Sequence, residues 1–329
     1  MNASARSRAG FATLAAAALV SGLVGVNAAA AVTGLPAADA APLAAAATPG
    51  SPSPATVADL QHAAVTEAFA YASYRAYATQ ADADGDPVAA RVWRTIADVE
   101  YHDHFVKEGE QSGLVGTNRE NVTAALRSER QAQADYRRWI ADAKAAGCTS
   151  VAKALREIRR DEAGHARLLE QALGTVRGDD GTGDAEVPVG PSSTPVATRR
   201  TAPACADATV AADLADALNS EATAWAQYDQ WADHAANTGS PRLAALFAAI
   251  GAVELDEHFA TEANLAGLVG DRAHNLAASI ASEQDAIMMY GRYATAADAR
   301  GDATAADLFR EVRGDEQGHL RSFQALRGE

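Results

Sequence analysis

The sequence predicts an all-α protein built as two four-helix bundles in tandem. Three observations lead there: an alanine-rich composition with only 6% aromatic residues, a gapless internal repeat, and one glutamate that can be singled out on each of eight helix-length segments. Alanine is the best helix former, so this composition favours helices over strands. In the repeat, EAFAYASY (67–74) recurs as EATAWAQY (221–228) and VEYHDHF (99–105) as VELDEHF (253–259). GLVG recurs at 113 and 267, and DEAGH (161–165) recurs as DEQGH (315–319), every pair offset by 154 residues. The repeats are therefore placed at 56–174 and 208–329, joined by a linker over 175–207 rich in Gly, Pro, Ser, Thr and charge.

The first 55 residues stand apart. Arg6 and Arg8 precede an uncharged apolar run, Phe11–Val26, and small residues follow it, the pattern of a signal peptide over 1–30. An Ala/Pro/Ser-rich tether is expected over 31–55. The reading is an exported protein: secreted, periplasmic or cell-wall associated. Export permits a disulfide between Cys148 and Cys205, the two cysteines of the chain, although two unpaired thiols are an equal reading. Two thiols exclude a four-cysteine metal centre. The net charge of −15 argues against nucleic acid and anionic membranes as partners.

Within each repeat, turn signals divide four periodic segments. In the first they fall at DADGDP, SGLVGTN and AGCTS, giving helices near 57–82, 88–111, 120–145 and 150–173. Pro87 and Pro241 suit the first turn of a helix, with Asp86 and Ser240 before them as caps. GCTS and RGDAT each carry a helix-stop glycine followed by restart caps.

The glutamates share one level. Glu67, Glu100, Glu129 and Glu162 are separated by 33, 29 and 33 residues, and Glu221, Glu254, Glu283 and Glu316 repeat those spacings. The midpoints fall on the turns, so a hairpin folded there brings its two glutamates side by side. Their neighbours are mostly apolar or small, and a buried glutamate is costly unless it is paired or binds a cation. A pair of divalent cations neutralises four such groups. His165 follows Glu162 by three residues, and His319 follows Glu316 likewise, which places each pair on one helix face. Tyr74, Tyr136, Tyr228 and Tyr290 each lie seven residues after a glutamate, close to two turns along the same stripe. They read first as core and second as neighbours of a site.

Across both repeats the sequence resembles the rubrerythrin branch of the ferritin-like di-iron proteins, whose bundles carry Glu-x-x-His on facing helices. GLVGTNRENVTAALRSE (113–129), GLVGDRAHNLAASIASE (267–283) and IRRDEAGHARLLEQAL (158–173) carry the resemblance. It implies two iron ions per repeat, with Mn or Zn as substitutes. The ligands would be Glu67, Glu100, Glu129, Glu162 and His165, then Glu221, Glu254, Glu283, Glu316 and His319. Glu100 and Glu162 would bridge, and Glu67 and Glu129 would be terminal. Where the family places histidine on helix two, this chain has Asp103 and Glu257, which are taken as ligands. His104 and His258, one residue on, are the alternate or supporting groups. The family's further carboxylate on helix three is replaced by Ala132 and Ala286, and no rubredoxin domain is present.

The short GLVGTN connector adds a topological expectation. Roughly eight extended residues reach about 27 Å, short of the ~30 Å a helix-length crossover needs. Helix pairs exchanged between the repeats would remove the need to cross. The function implied is reduction of peroxide or dioxygen, with electrons from an external donor. The alternatives are a non-catalytic protein that sequesters or oxidises iron, and a scaffold with a degenerate site. Homo-oligomers are compatible with either.

Overall fold

The computed structural model describes residues 51–328, and among them there are helices and no strands. Helix α1 spans Pro54–Ala83. Helix α2 runs as Pro87–Val99, a π-helical turn over Glu100–Phe105, and Val106–Ser112. Helices α3 and α4 span Asn118–Ala145 and Thr149–Thr175. The second repeat begins with α5, Ala208–Asn237. Helix α6 copies α2: Pro241–Val253, a π turn over Glu254–Phe259, and Ala260–Ala266. Helices α7 and α8 span Arg272–Arg300 and Ala303–Arg327. The predicted signal peptide lies outside the described residues, and no described helix is long and apolar enough to cross a membrane.

Local chemistry sets most boundaries. Helix α1 starts two residues inside the expected tether because Ser53 accepts a hydrogen bond from the Thr56 N–H and Pro54 opens the helix. Asp86 caps α2 as expected, and Thr117 with Glu120 forms a full capping box on α3. Ser240 does not cap α6; its hydroxyl instead accepts from Asn118 Nδ2 at 3.2 Å. Asp302 does not cap α8 either, since its carboxylate accepts from the hydroxyls of Ser53 and Thr56.

The bundles are not the repeats. Helices α1 and α2 pack with α7 and α8 to make bundle one, while α5 and α6 pack with α3 and α4 to make bundle two. The exchange expected from the connector is present. Only residues 113–117 join α2 to α3, and 267–271 join α6 to α7. Five extended residues reach about 17 Å, too little to return along a helix. The chain therefore leaves one bundle for the other, turning at Gly113 and Gly267, whose left-handed φ values of 72° and 68° suit glycine.

Helices α1 and α5 run through the middle, one from each bundle. Small residues let them approach: Ala68 and Ala72 share a core with Leu218, Ala222 and Ala226. Tyr71 and Trp225, equivalent positions of the two repeats, stack with ring centroids 4.2 Å apart.

The linker lies mainly along bundle two as an ordered strap, with Arg200 reaching Gln80 of α1. The Val196 N–H donates to the Asp256 carbonyl at 2.7 Å, and the Ala204 N–H donates to the Leu265 carbonyl at 2.8 Å. It ends in a disulfide between Cys205 and Cys148, at the start of α4. In bundle one the equivalent corner is fastened by the Asp302 hydrogen bonds to α1. Breaking the disulfide, which spans 57 residues, is expected to cost about 4 kcal/mol on the chain-entropy account. The check is the midpoint of chemical denaturation of the metal-free protein with and without reductant, which should fall on reduction.

Candidate metal centres

Each bundle brings four glutamates and two histidines to its middle. In bundle one these are Glu67 from α1, Glu100 and His104 from the π turn of α2, Glu283 from α7, and Glu316 and His319 from α8. In bundle two they are Glu221 from α5, Glu254 and His258 from the π turn of α6, Glu129 from α3, and Glu162 and His165 from α4. All twelve are buried. The sequence spacings held because both hairpins of a bundle fold at their midpoints. What differs from the within-repeat picture is the partnership: Glu100 meets Glu316, and Glu162 meets Glu254.

The oxygens divide each cluster into two half-sites. Glu100 presents Oε2 to His104 Nδ1 at 2.9 Å and Oε1 to His319 Nδ1 at 3.1 Å. Glu316 does the same in the opposite sense, Oε1 to His104 at 3.3 Å and Oε2 to His319 at 3.4 Å. Glu67 lies beside His104 at 3.6 Å, and Glu283 beside His319 at 3.7 Å. Glu100 and Glu316 therefore serve both half-sites, while Glu67 and Glu283 serve one each. Bundle two repeats the scheme, with Glu162 and Glu254 shared and with Glu129 and Glu221 terminal.

Asp103 and Glu257 are not in these clusters, a correction to the sequence reading. Asp103 faces outward and pairs with Lys107 Nζ at 2.6 Å. Glu257 accepts a hydrogen bond from the backbone N–H of Thr194 in the linker strap. The cause is the π turn. Its i→i+5 hydrogen bonds widen the helix, so the residue four positions after Glu100 comes round to the glutamate face. The three-residue step holds for the ordinary helices α4 and α8, where His165 and His319 are found as predicted. On α2 and α6 the inward groups are His104 and His258.

Electrostatics makes the centres demanding. Burial, then the facing glutamates, pushes the carboxyls of Glu67 and Glu162 well above the usual range. Glu283 is raised in the same way, by burial and then by Glu316. Burial and Glu254 push Glu221 up to about 7. Burial also opposes ionisation of Glu254, but His165 and His258 outweigh it and hold that carboxyl low. Burial would depress the histidines, yet their carboxylate neighbours prevail and raise His165 to about 10 and His319 to about 12. Acid sits against acid, and only protons or cations can balance the excess.

The four tyrosines stand directly behind the terminal glutamates. Tyr74 donates to Glu283 Oε1 at 2.5 Å, and Tyr228 donates to Glu129. Tyr290 donates to Glu67, and Tyr136 donates to Glu221. Two carboxyls escaped the sequence reading. Glu108 Oε1 lies 2.7 Å from the Tyr290 hydroxyl, and Glu262 Oε1 lies 2.6 Å from that of Tyr136. A phenol has one proton to give, so of the two carboxyls that each of these hydroxyls faces, one must itself be protonated. Burial favours that form, raising Glu108 to about 8 and Glu262 well above the usual range. Their signal was faint: both follow the helix-two glutamate by eight residues, at the same 154-residue offset. They supply an additional carboxyl from helix two of each repeat, while helix three has Ala132 and Ala286. Asp315 and Asp161, first letters of the repeated DEQGH and DEAGH, were also passed over. They lie 3.6 Å from His104 Nε2 and 3.8 Å from His258 Nε2.

The donor set fits two divalent ions per bundle. Glu254 Oε1 and Oε2, Glu129 Oε2, and the Nδ1 atoms of His165 and His258 are buried and lack a hydrogen-bond partner. Glu283 Oε2, Glu316 Oε1 and His319 Nδ1 are in the same condition. Atoms this close yet unaligned for hydrogen bonding converge on common points rather than on one another, and buried polar atoms are rarely left so. Oxygen and imidazole donors together suit iron, manganese and zinc.

A four-helix bundle with two shared glutamates, two terminal glutamates and two histidines at its middle has the donor set of the ferritin-like carboxylate bundles. The rubrerythrin family model matches the chain twice, over residues 120–198 and 249–327. The chain is a tandem duplication of a rubrerythrin-like, ferritin-like domain, and the family together with the buried clusters points to di-iron binding. No curated protein and no solved structure matches the chain significantly.

Proposed function

We propose that the protein is an exported di-iron oxidoreductase that reduces peroxide, or dioxygen, at the two bundle centres. The observation that carries this reading is the pair of half-sites joined by two shared carboxylates, whose residues would hold two ions and so supply a two-electron step. Iron supplies the electrons and the Lewis acidity. The chain supplies the rest. Four glutamates would balance the charge of two divalent ions, and the histidines would fix each half-site. The tyrosines hold the terminal glutamates in place. Glu108 and Glu262, raised by burial and one phenol away, help keep a proton near the centre. Reducing peroxide to two waters takes two electrons and two protons, and the electrons come from an external donor. Export accords with the disulfide, which persists in oxidising compartments.

The test is anaerobic Fe(II) loading of the full chain followed by rapid mixing with peroxide. The expectation is four irons per chain, one for each half-site, and oxidation far faster than in a Glu100→Ala, Glu254→Ala double variant, which loses a shared ligand in each bundle. Tight binding without fast oxidation would instead assign a sequestering protein. Failure to bind Fe(II), Mn(II) or Zn(II) would leave a scaffold.

A further inference from the structure

We propose that Asp103, His104 Nε2 and Asp315 form an outer divalent-cation site that hands ions to the buried centre of bundle one. The inference rests on the metal-binding reading above and adds a site to it. One ligand atom from each of the three residues falls within 4.8 Å of the others. The two aspartates reach solvent, with side chains 41% and 46% exposed, whereas the His104 side chain is fully buried. A cluster of acids on a surface is ordinary; the buried imidazole aimed into it is not. His104 Nε2 has no hydrogen-bond partner and lies 3.6 Å from Asp315 Oδ2. Its other nitrogen, Nδ1, faces the inner carboxylates.

One ring thus faces two sites, and its chemistry makes them alternatives. A neutral imidazole has one nitrogen with a free lone pair and one that carries hydrogen. With an ion outside on Nε2, the Nδ1–H donates to Glu100, 2.9 Å away. With an ion inside on Nδ1, the Nε2–H points to Asp315. Transfer from one arrangement to the other moves a single ion inward while the Nδ1 proton leaves through Glu100, 2.9 Å away, and Nε2 takes one from solvent at Asp315. The outer donors, two carboxylates and one imidazole, suit Mn(II), Fe(II) or Zn(II).

A cation already stands at this mouth. Lys107 Nζ lies 2.6 Å from Asp103 and 2.7 Å from Glu311. An arriving ion competes with that ammonium for Asp103. Bundle two differs at two of these positions. Thr261 replaces Lys107, and Glu257, the counterpart of Asp103, is held by the Thr194 N–H of the strap. Among the described residues the outer triad occurs in bundle one alone. The two centres therefore fill by different routes.

The experiment uses the full metal-free chain carrying Glu254→Gln, which weakens the centre of bundle two so that uptake reports on bundle one. Mn(II) is mixed in, and loss of the free-ion resonance is followed in time by rapid-freeze electron paramagnetic resonance. Adding Asp103→Asn is expected to slow filling on the order of tenfold, the scale of supporting-ligand effects, while the final Mn(II) stoichiometry stays that of the parent. Adding Lys107→Thr instead is expected to speed filling. Both side chains are at the surface, so the helical signal should be unaltered. Filling of the Asp103→Asn protein at the parent rate overturns the outer site. A parent that takes up no Mn(II) overturns the metal-centre reading itself, and the outer site falls with it.

Discussion

An isolated first repeat, residues 56–174, is expected to bind metal only as a dimer. Its α1 and α2 carry Glu67, Glu100 and His104, while its α3 and α4 carry Glu129, Glu162 and His165. These groups belong to different bundles, and the five residues of 113–117 cannot fold one hairpin back onto the other. Two copies can exchange hairpins and rebuild two centres, as the two repeats do within one chain. Light scattering should therefore show a dimer whenever metal is bound. Dilution below the dimer's dissociation constant should release the metal, whereas at a fixed free-metal concentration the full chain's occupancy should not change with protein dilution. A monomeric repeat that binds two ions tightly would refute the exchanged architecture.

The second large effect concerns pH. In the metal-free fold Glu221 titrates near 7 against an ordinary 4.5, and Glu67, Glu162 and Glu283 are also raised, all by burial first. For a carboxyl raised by folding, the unfolded chain loses its proton first as pH increases. The favourable contribution is thus full below about 4.5 and is lost as pH climbs through the folded value. The raised histidines act in the same direction at higher pH, His165 from 6.5 toward about 10. Glu254 and Glu316, both lowered, act in the opposite sense, but only below the ordinary carboxyl range. From pH 5 to 8 the metal-free protein should therefore lose stability. Glu221 alone contributes roughly 3 kcal/mol at 1.36 kcal/mol per unit, or a fall in melting temperature on the order of 10 °C. Bound cations replace those protons, so metal affinity should rise over the same interval, with protons released on binding. Calorimetric melts at several pH values, with and without Mn(II), check both signs. A metal-free protein that becomes more stable from pH 5 to 8 would contradict the buried-acid picture.

Much of this was legible in the sequence because regular helices convert spacing into geometry. The 33-residue steps from Glu67 to Glu100 and from Glu129 to Glu162 found the level of the centre, and the shortness of GLVGTN pointed to the exchange. The same conversion failed at Asp103. It assumes one uniform turn, and the π turn is a tertiary choice that brings His104 inward at the expense of the ordinary ladder. A clue was present: histidine recurs four residues after Glu100 and Glu254, whereas the third residue is aspartate in one repeat and glutamate in the other. Glu108 and Glu262 were hidden for another reason. A single glutamate on a helix normally faces water, and only the packing of Tyr290 and Tyr136 shows otherwise.

The covalent join between the exchanged halves has a consequence beyond assembly. A homodimer built from one short chain must carry every substitution twice, so its two centres stay identical. Here each bundle draws on both repeats, yet each repeat is encoded separately. Lys107 can stand where its twin is Thr261, and Tyr101 where its twin is Leu255, each substitution made once. Fusion frees a symmetrical machine to specialise. One centre can come to differ from its neighbour in how readily it is loaded or reached while both keep the same ligands.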